Sequence, residues 1–132
     1  FHIHGLMAAL LASLAGGGSA VCTAGFRAAE LEGWLTRLAP TWYTAVPTIH
    51  QAVLDATAAG SAARDARLRF VRSSSAPLPA RLRHELEARF GAPVVEAYGM
   101  TEASHQIASN PVSGGRRAGS VGTPVGVEVA VV

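Results

Sequence analysis

Residues 68–102, LRFVRSSSAPLPARLRHELEARFGAPVVEAYGMTE, decide how this chain folds. Leu68-Arg69-Phe70-Val71-Arg72 alternates and predicts a β-strand, which Ser73-Ser74-Ser75-Ala76-Pro77 breaks. Pro79 then opens a helix that turns Leu82, Leu86 and Phe90 inward. Arg81 with Glu85, and Arg83 with Glu87, stand four apart on its wet face, pairs that contribute only a few tenths of a kcal/mol each. Gly91 ends the helix, and Pro93-Val94-Val95-Glu96-Ala97 predicts a second strand that enters Tyr98-Gly99-Met100-Thr101-Glu102. Strand, helix, strand points to a parallel sheet covered by helices, and such sheets bind ligands at the carboxyl ends of their strands. The 73–77 turn and the 98–102 turn are therefore both expected at that edge.

The alternation extends outward. Upstream, Thr41-Trp42-Tyr43-Thr44-Ala45-Val46 is aromatic and β-branched and predicts a strand. Pro47 suits the first turn of a helix through Ile49, Val53 and Leu54, with a fraying end and surface loop over 56–66. Leu31, Trp34, Leu35 and Leu38 recur at helical spacing opposite Glu30, Glu32 and Arg37, and Pro40 stops that helix. The apolar stretch 5–15 is shorter than the roughly 18 residues of a membrane span, has no basic region before it, and predicts a buried helix. Gly16-Gly17-Gly18 ends it, and a strand is expected over 19–23. Downstream, 110–117 is a polar, Gly-rich loop, and 119–132 predicts short strands broken by Gly122, Pro124 and Gly126. The fold class is α/β: a mainly parallel sheet flanked by helices, with short β-strands at the C-terminal end.

Composition narrows the functional classes. The chain has 132 residues, 49% of them hydrophobic and 15% charged, which supports a real core and excludes disorder. Its 11 basic residues are all Arg and 9 acids nearly balance them, so no basic stripe marks a nucleic-acid partner, and nothing marks a membrane partner. A lone Cys22 cannot form an internal disulfide. The chain begins at Phe1 and ends on the apolar run Val127, Val129, Ala130, Val131 and Val132, so both ends read as cut.

The two turns are chemically complementary. Small residues at Ser74, Ser75 and Ala76 let backbone approach a flat ligand, Pro77 stiffens the path, and Tyr98 offers an aromatic face. Thr101 offers a hydroxyl and an N–H to a phosphate, and Glu102 a carboxylate of the kind Mg²⁺ takes beside a nucleotide. Other candidates read more plainly. His50 on its amphipathic helix is expected to be packed or hydrogen-bonded, and His84 to face solvent. His2 and His4 have no companions to complete a zinc tetrahedron. His4 either lines a pocket or packs. Cys22 is expected in the core, Trp34 and Trp42 in core and pocket wall, and Arg116-Arg117 as loop charge.

Tyr98-Gly99-Met100-Thr101-Glu102 resembles the YGxTE motif of the adenylate-forming superfamily, and Ser74-Ser75-Ala76-Pro77-Leu78 its GGAPL turn. Phe1-His2-Ile3-His4-Gly5, Val46-Pro47-Thr48 and Gly119-Ser120-Val121-Gly122-Thr123-Pro124 resemble further signposts in the right order, so the likeness runs along the whole chain. Within the family, residues 41–51, the serine turn and Thr101-Glu102-Ala103-Ser104-His105 are most similar to the oxalate–CoA ligase branch. The resemblance implies a ligase that uses ATP, Mg²⁺ and coenzyme A to activate a small carboxylic acid, with AMP as product. Ser74, Ser75, Ala76, Pro77 and the Tyr98 ring would hold adenine, with Ala97 backbone near its amino group and Gly99 and Met100 also against the nucleotide. Thr101 would hold the α-phosphate and Glu102 the metal. These two with His2, at the mouth of the acyl pocket, would be the catalytic set. His2, His4, Ser75 and His105 would face the acid.

The resemblance also implies that 1–132 is the central part of the AMP-binding N-terminal domain of a cytoplasmic enzyme. The phosphate loop, hinge and C-terminal domain would lie outside it. The family's two functional lysines belong to those outer segments, and this chain contains no Lys. A fatty-acid enzyme needs an apolar tunnel, since each buried methylene contributes about 0.8 kcal/mol. A short dicarboxylate instead brings a second charge that must be compensated, and hydroxyl and imidazole donors at Ser75, His105 and His2 do that. The alternatives are a ligase for another short or medium-chain acid, and a non-catalytic nucleotide-binding fragment.

Overall fold

The computed structural model describes residues 2–57 and 62–130. Three parallel strands form its centre: β1 (Trp42–Ala45), β2 (Phe70–Ser73) and β3 (Val94–Tyr98). Two antiparallel strands of two residues each, β4 (Ala108–Ser109) and β5 (Thr123–Pro124), extend the sheet in the order β1-β2-β3-β4-β5. The helices are α1 (Ala12–Ala15), α2 (Leu31–Leu38), α3 (Pro47–Ala56), α4 (Ala62–Asp65) and α5 (Ala80–Phe90). Pro47 occupies the first turn of α3, and Gly91 takes the left-handed conformation that closes α5.

Register assigns the two faces of the sheet. Tyr43, Val71 and Val94 are aligned, and they pack with Leu35, Val53, Leu86 and Phe90 in the main core beneath the helices. Thr44, Arg72 and Val95 are the next aligned row and therefore occupy the opposite face. The Arg81–Glu85 pair is solvent-exposed as expected. Arg83–Glu87 is half-buried instead, and Glu87 Oε1 also accepts the Val94 N–H at 3.1 Å, tying α5 to the start of β3.

Several expectations are corrected. The stretch 5–15 is helical, but its first eight-residue segment, His4–Leu11, has the wider π geometry, and Leu6, Met7, Leu11 and Leu14 are exposed rather than buried. The run is apolar on all sides, so periodicity cannot choose a buried face, and His4 is the one residue of the stretch 4–15 that is buried. No strand forms over 19–23, because the segment has no neighbouring strand to pair with, and Cys22 is exposed. Trp42 stacks on Phe70 at 5.2 Å, while Trp34 packs against the core and His84 faces solvent. Of the loop expected over 56–66, residues 62–65 form α4 and 58–61 lie outside the described residues, as do Phe1, Val131 and Val132. Of the strands expected over 119–132, Thr123–Pro124 forms. No helix among the described residues is long and apolar enough to cross a membrane.

Candidate functional site

The two turns meet at the carboxyl edge. β2 ends at Ser73 and β3 at Tyr98, and the pairing of Ser73 with Glu96 sets the ends side by side. Between them opens a cleft of about 360 Å³, lined by Ser75, Ala76, Pro77, Ala97, Tyr98 and Gly99 together with Glu96, Gly119 and Val121. Tyr98 is half exposed and offers its ring as a wall, opposite the small residues of the serine turn. That shape suits a flat heteroaromatic ring with its edge against backbone. Glu96 is buried beneath it; burial raises its carboxyl above the ordinary range, and its Oε1 accepts the Gly119 N–H at 3.4 Å.

Not every predicted residue lines this cleft. Ser74 is fully buried next to it in the turn, its N–H donated to the Ala45 carbonyl at 3.3 Å and its hydroxyl without a hydrogen-bond partner among the described residues. Met100 is exposed, and Thr101 and Glu102 stand exposed on the single helical turn Thr101–Ala103 just beyond it. His2 is exposed, with its Nδ1 accepting the His4 N–H at 3.2 Å.

On the opposite face of the sheet a buried polar cluster gathers around His4. Its Nε2 lies 2.6 Å from Thr44 Oγ1 and its Nδ1 lies 3.1 Å from Ser75 Oγ. Arg72 Nη1 approaches the same Nε2 at 3.4 Å and Thr44 Oγ1 at 3.5 Å, while Nη2 donates to Gln106 Oε1 at 3.0 Å. A guanidinium only donates, so Nε2 accepts and the His4 proton sits on Nδ1, donated to Ser75. The Ser75 hydroxyl is left to donate onward. Because Ser75 also lines the cleft, it joins the two halves of the site. It does so from a left-handed backbone, φ 72°, that a side chain rarely adopts.

His105 completes the cluster. Its ring centroid is 5.1 Å from that of His4; it is 2% exposed, and neither ring nitrogen has a partner among the described residues. Its backbone, with that of Ser104, is left-handed, and its N–H donates to the Met100 carbonyl at 3.0 Å. Burial first, then Arg72 and other histidines, push His4 down from 6.5 to about 4. Burial and Arg72 lower His105 as well, so both rings are neutral at neutral pH. Burial also lowers Arg72, to about 10, which leaves it cationic. His50 lies elsewhere, under the sheet, with Nδ1 3.2 Å from the Tyr43 hydroxyl, and it is packed and hydrogen-bonded as expected.

His4 is thus buried and hydrogen-bonded, and its Nδ1 reaches Ser75, which lines the cleft. Arg72, Thr44, Gln106 and Glu96 join the site without a motif in the sequence that marks them. An arginine in an otherwise apolar strand, one residue before the serine turn, was the signal available for Arg72. Thr44 carried a weaker one, since strand alternation sets it on one face with neither Tyr43 nor Ala45. Gln106 follows two left-handed residues, and nothing in the local sequence aims it.

Residues 1–132 match the family described as AMP-binding enzyme. An oxalate–CoA ligase of Arabidopsis thaliana is 47% identical over 135 residues, covering 99% of this chain and 26% of the relative. A sulfoacetate–CoA ligase of Cupriavidus necator is 41% identical over 132 residues, covering 99% and 25%. Among solved structures, ATP-bound MatB from Rhodopseudomonas palustris superposes with a TM-score of 0.81 at 31% identity, over 94% of this chain and 24% of that protein. The chain therefore spans about a quarter of the length of these relatives.

Proposed function

Because the chain belongs to the AMP-binding enzyme family, we propose that the protein carrying it is an AMP-forming acid–CoA ligase whose acid is small and polar, oxalate foremost. The observation that carries this reading is the joining of two unlike halves at Ser75: a cleft for a flat ring, and a buried cluster of donors with one cation. An apolar acyl tunnel would not be floored by His4, His105, Thr44 and Arg72.

In this mechanism Ser75, Ala76 and Pro77 hold adenine against the Tyr98 ring. Ser74 supports the turn from below, and the Ala97 and Gly99 backbone runs along the edge of the purine. Beyond them Met100 leads to Thr101, whose hydroxyl and N–H bind the α-phosphate. No group of three or more His, Cys, Asp or Glu side chains among the described residues is placed to hold a metal ion. A single exposed carboxylate at Glu102 suits Mg²⁺, which takes one or two carboxylates and completes its shell with substrate phosphates and water. When bound, the ion neutralises phosphate charge. Ser75 and His105 donate to the acid, His4 fixes the direction of the Ser75 hydroxyl, and His2 stands at the mouth.

A carboxylate oxygen attacks the α-phosphorus of ATP, forming the acyl-adenylate and expelling pyrophosphate. The sulfur of coenzyme A then attacks the acyl carbon, and AMP leaves. The sulfoacetate–CoA ligase relative favours a second reading, a different acid that also carries a second anionic group.

His105→Ala in the intact protein removes two unpartnered ring nitrogens from the acid side and none from the nucleotide side. It is expected to raise the KM for oxalate about tenfold or more, the cost of one lost hydrogen bond to a charged group. The KM for ATP should stay within about twofold, since no nucleotide contact is touched. Equal losses for both substrates would contradict the assignment.

A further inference from the structure

We propose that Arg72 is the specificity-determining residue of the acid site: its buried guanidinium is an uncompensated positive charge that selects acids bearing a second anionic group. The proposal rests on the acid–CoA ligase reading above and goes beyond it by naming the residue that reads the second anionic group of the acid.

Arg72 is 6% exposed, and the ion pairs among the described residues join Arg27 to Glu30, Arg81 to Glu85 and Arg83 to Glu87, none of them touching Arg72. Its partners among the described residues are all neutral acceptors: Gln106 Oε1, Thr44 Oγ1 and His4 Nε2. A buried cation without a counter-ion is costly, and proteins keep one where a ligand supplies the missing charge. His4 and His105 do not share the role, since both are neutral at neutral pH. The charge faces the site through two routes. Directly, it lies one side chain behind His4 and Ser75, in a low-dielectric position where charge is felt strongly. Indirectly, its N–H on His4 Nε2 fixes the tautomer, so that the Ser75 hydroxyl is left free to donate to the acid.

An acid with one carboxylate spends its only charge at the α-phosphate, where adenylation consumes it. Oxalate, malonate or sulfoacetate keeps a second anion, and that anion meets Arg72. A fatty acid meets the same charge with a methylene chain, so the residue acts by rejection as well as attraction.

The test compares Arg72→Met and Arg72→Lys with the parent in the intact protein. Acid-dependent pyrophosphate exchange is measured with oxalate, malonate, sulfoacetate, acetate and propionate. Arg72→Met is expected to raise the KM for the best two-anion acid by at least about 30-fold, as for truncating one partner of a buried charge pair. The KM values for ATP, acetate and propionate should hold or improve. Arg72→Lys keeps the charge without the fork and should fall between. Thermal unfolding without ligand supplies a readout that needs no turnover. If Arg72 is kept for binding, Arg72→Met leaves the midpoint unchanged or raises it; if it is kept for structure, the midpoint falls.

A preference for malonate or sulfoacetate over oxalate that collapses in Arg72→Met would uphold this inference while removing oxalate as the substrate. Preference for a monocarboxylate by the parent would overturn it, as would parallel losses for oxalate, acetate and ATP or a lowered unfolding midpoint in Arg72→Met.

Discussion

Gly99→Ala is expected to unfold the site. A Cβ on Gly99 would stand 1.4 Å from the His105 carbonyl oxygen and 2.5 Å from its carbonyl carbon. Both atoms are backbone, so no side-chain rotation relieves the clash. The turn after β3 must separate from residues 105–106, which strains the His105 N–H bond to Met100 and the Ile107 N–H bond to Tyr98. The cost is at least about 3 kcal/mol, the upper end for overpacking, because the obstacle cannot repack. Cleft and acid cluster are lost together, since Gly99 lines one and His105 belongs to the other. Denaturant unfolding, with calorimetric binding of AMP, measures both effects. Gly91→Ala is the control: it meets nothing within 4 Å and has only its left-handed φ of 61° to strain, so it should cost about 1 kcal/mol. Equal destabilisation by the two would show that the close approach at Gly99 is not what holds the turn.

Acid is expected to destabilise the fold through His4 and His50. Burial lowers each from 6.5 to about 4. The unfolded chain therefore takes up a proton near pH 6.5 while the folded chain resists until about pH 4. Stability from these groups is fully present above pH 6.5 and is lost as the pH falls toward 4, by about 3 kcal/mol for each ring, on the order of 1.4 kcal/mol per pKa unit. Glu96, raised by burial, works the other way, because its protonated form is the one the fold favours. A comparison of parent with His50→Gln cancels that contribution. Urea midpoints at pH 7 and pH 4.5 should differ steeply in the parent and clearly less in His50→Gln, as one contribution is removed while His4 and His105, which burial also lowers, remain. An unchanged slope would mean that folding does not shift the titration of His50.

The legibility of this chain follows what each residue's neighbours are. The segment 68–102 carries its own answer: alternation fixes β2 and β3, apolar spacing fixes α5, and the parallel arrangement then forces both turns to one edge. The cleft side of the site could be read for that reason, since Ser75, Ala76, Pro77, Tyr98 and Gly99 reach it through local geometry. Residues whose role depends on distant contacts escaped. Arg72 sits in a strand that alternation identifies, but what stands over its face is His4, 68 residues away. The helix from His4 departs from expectation for the converse reason: uniform apolarity names no inner face.

The central claim, that the site takes a small polar acid for adenylation, is tested most directly by ATP–pyrophosphate exchange in the intact protein with oxalate against octanoate. The account predicts exchange with oxalate and none above background with octanoate. Exchange supported by octanoate and not by oxalate would contradict it.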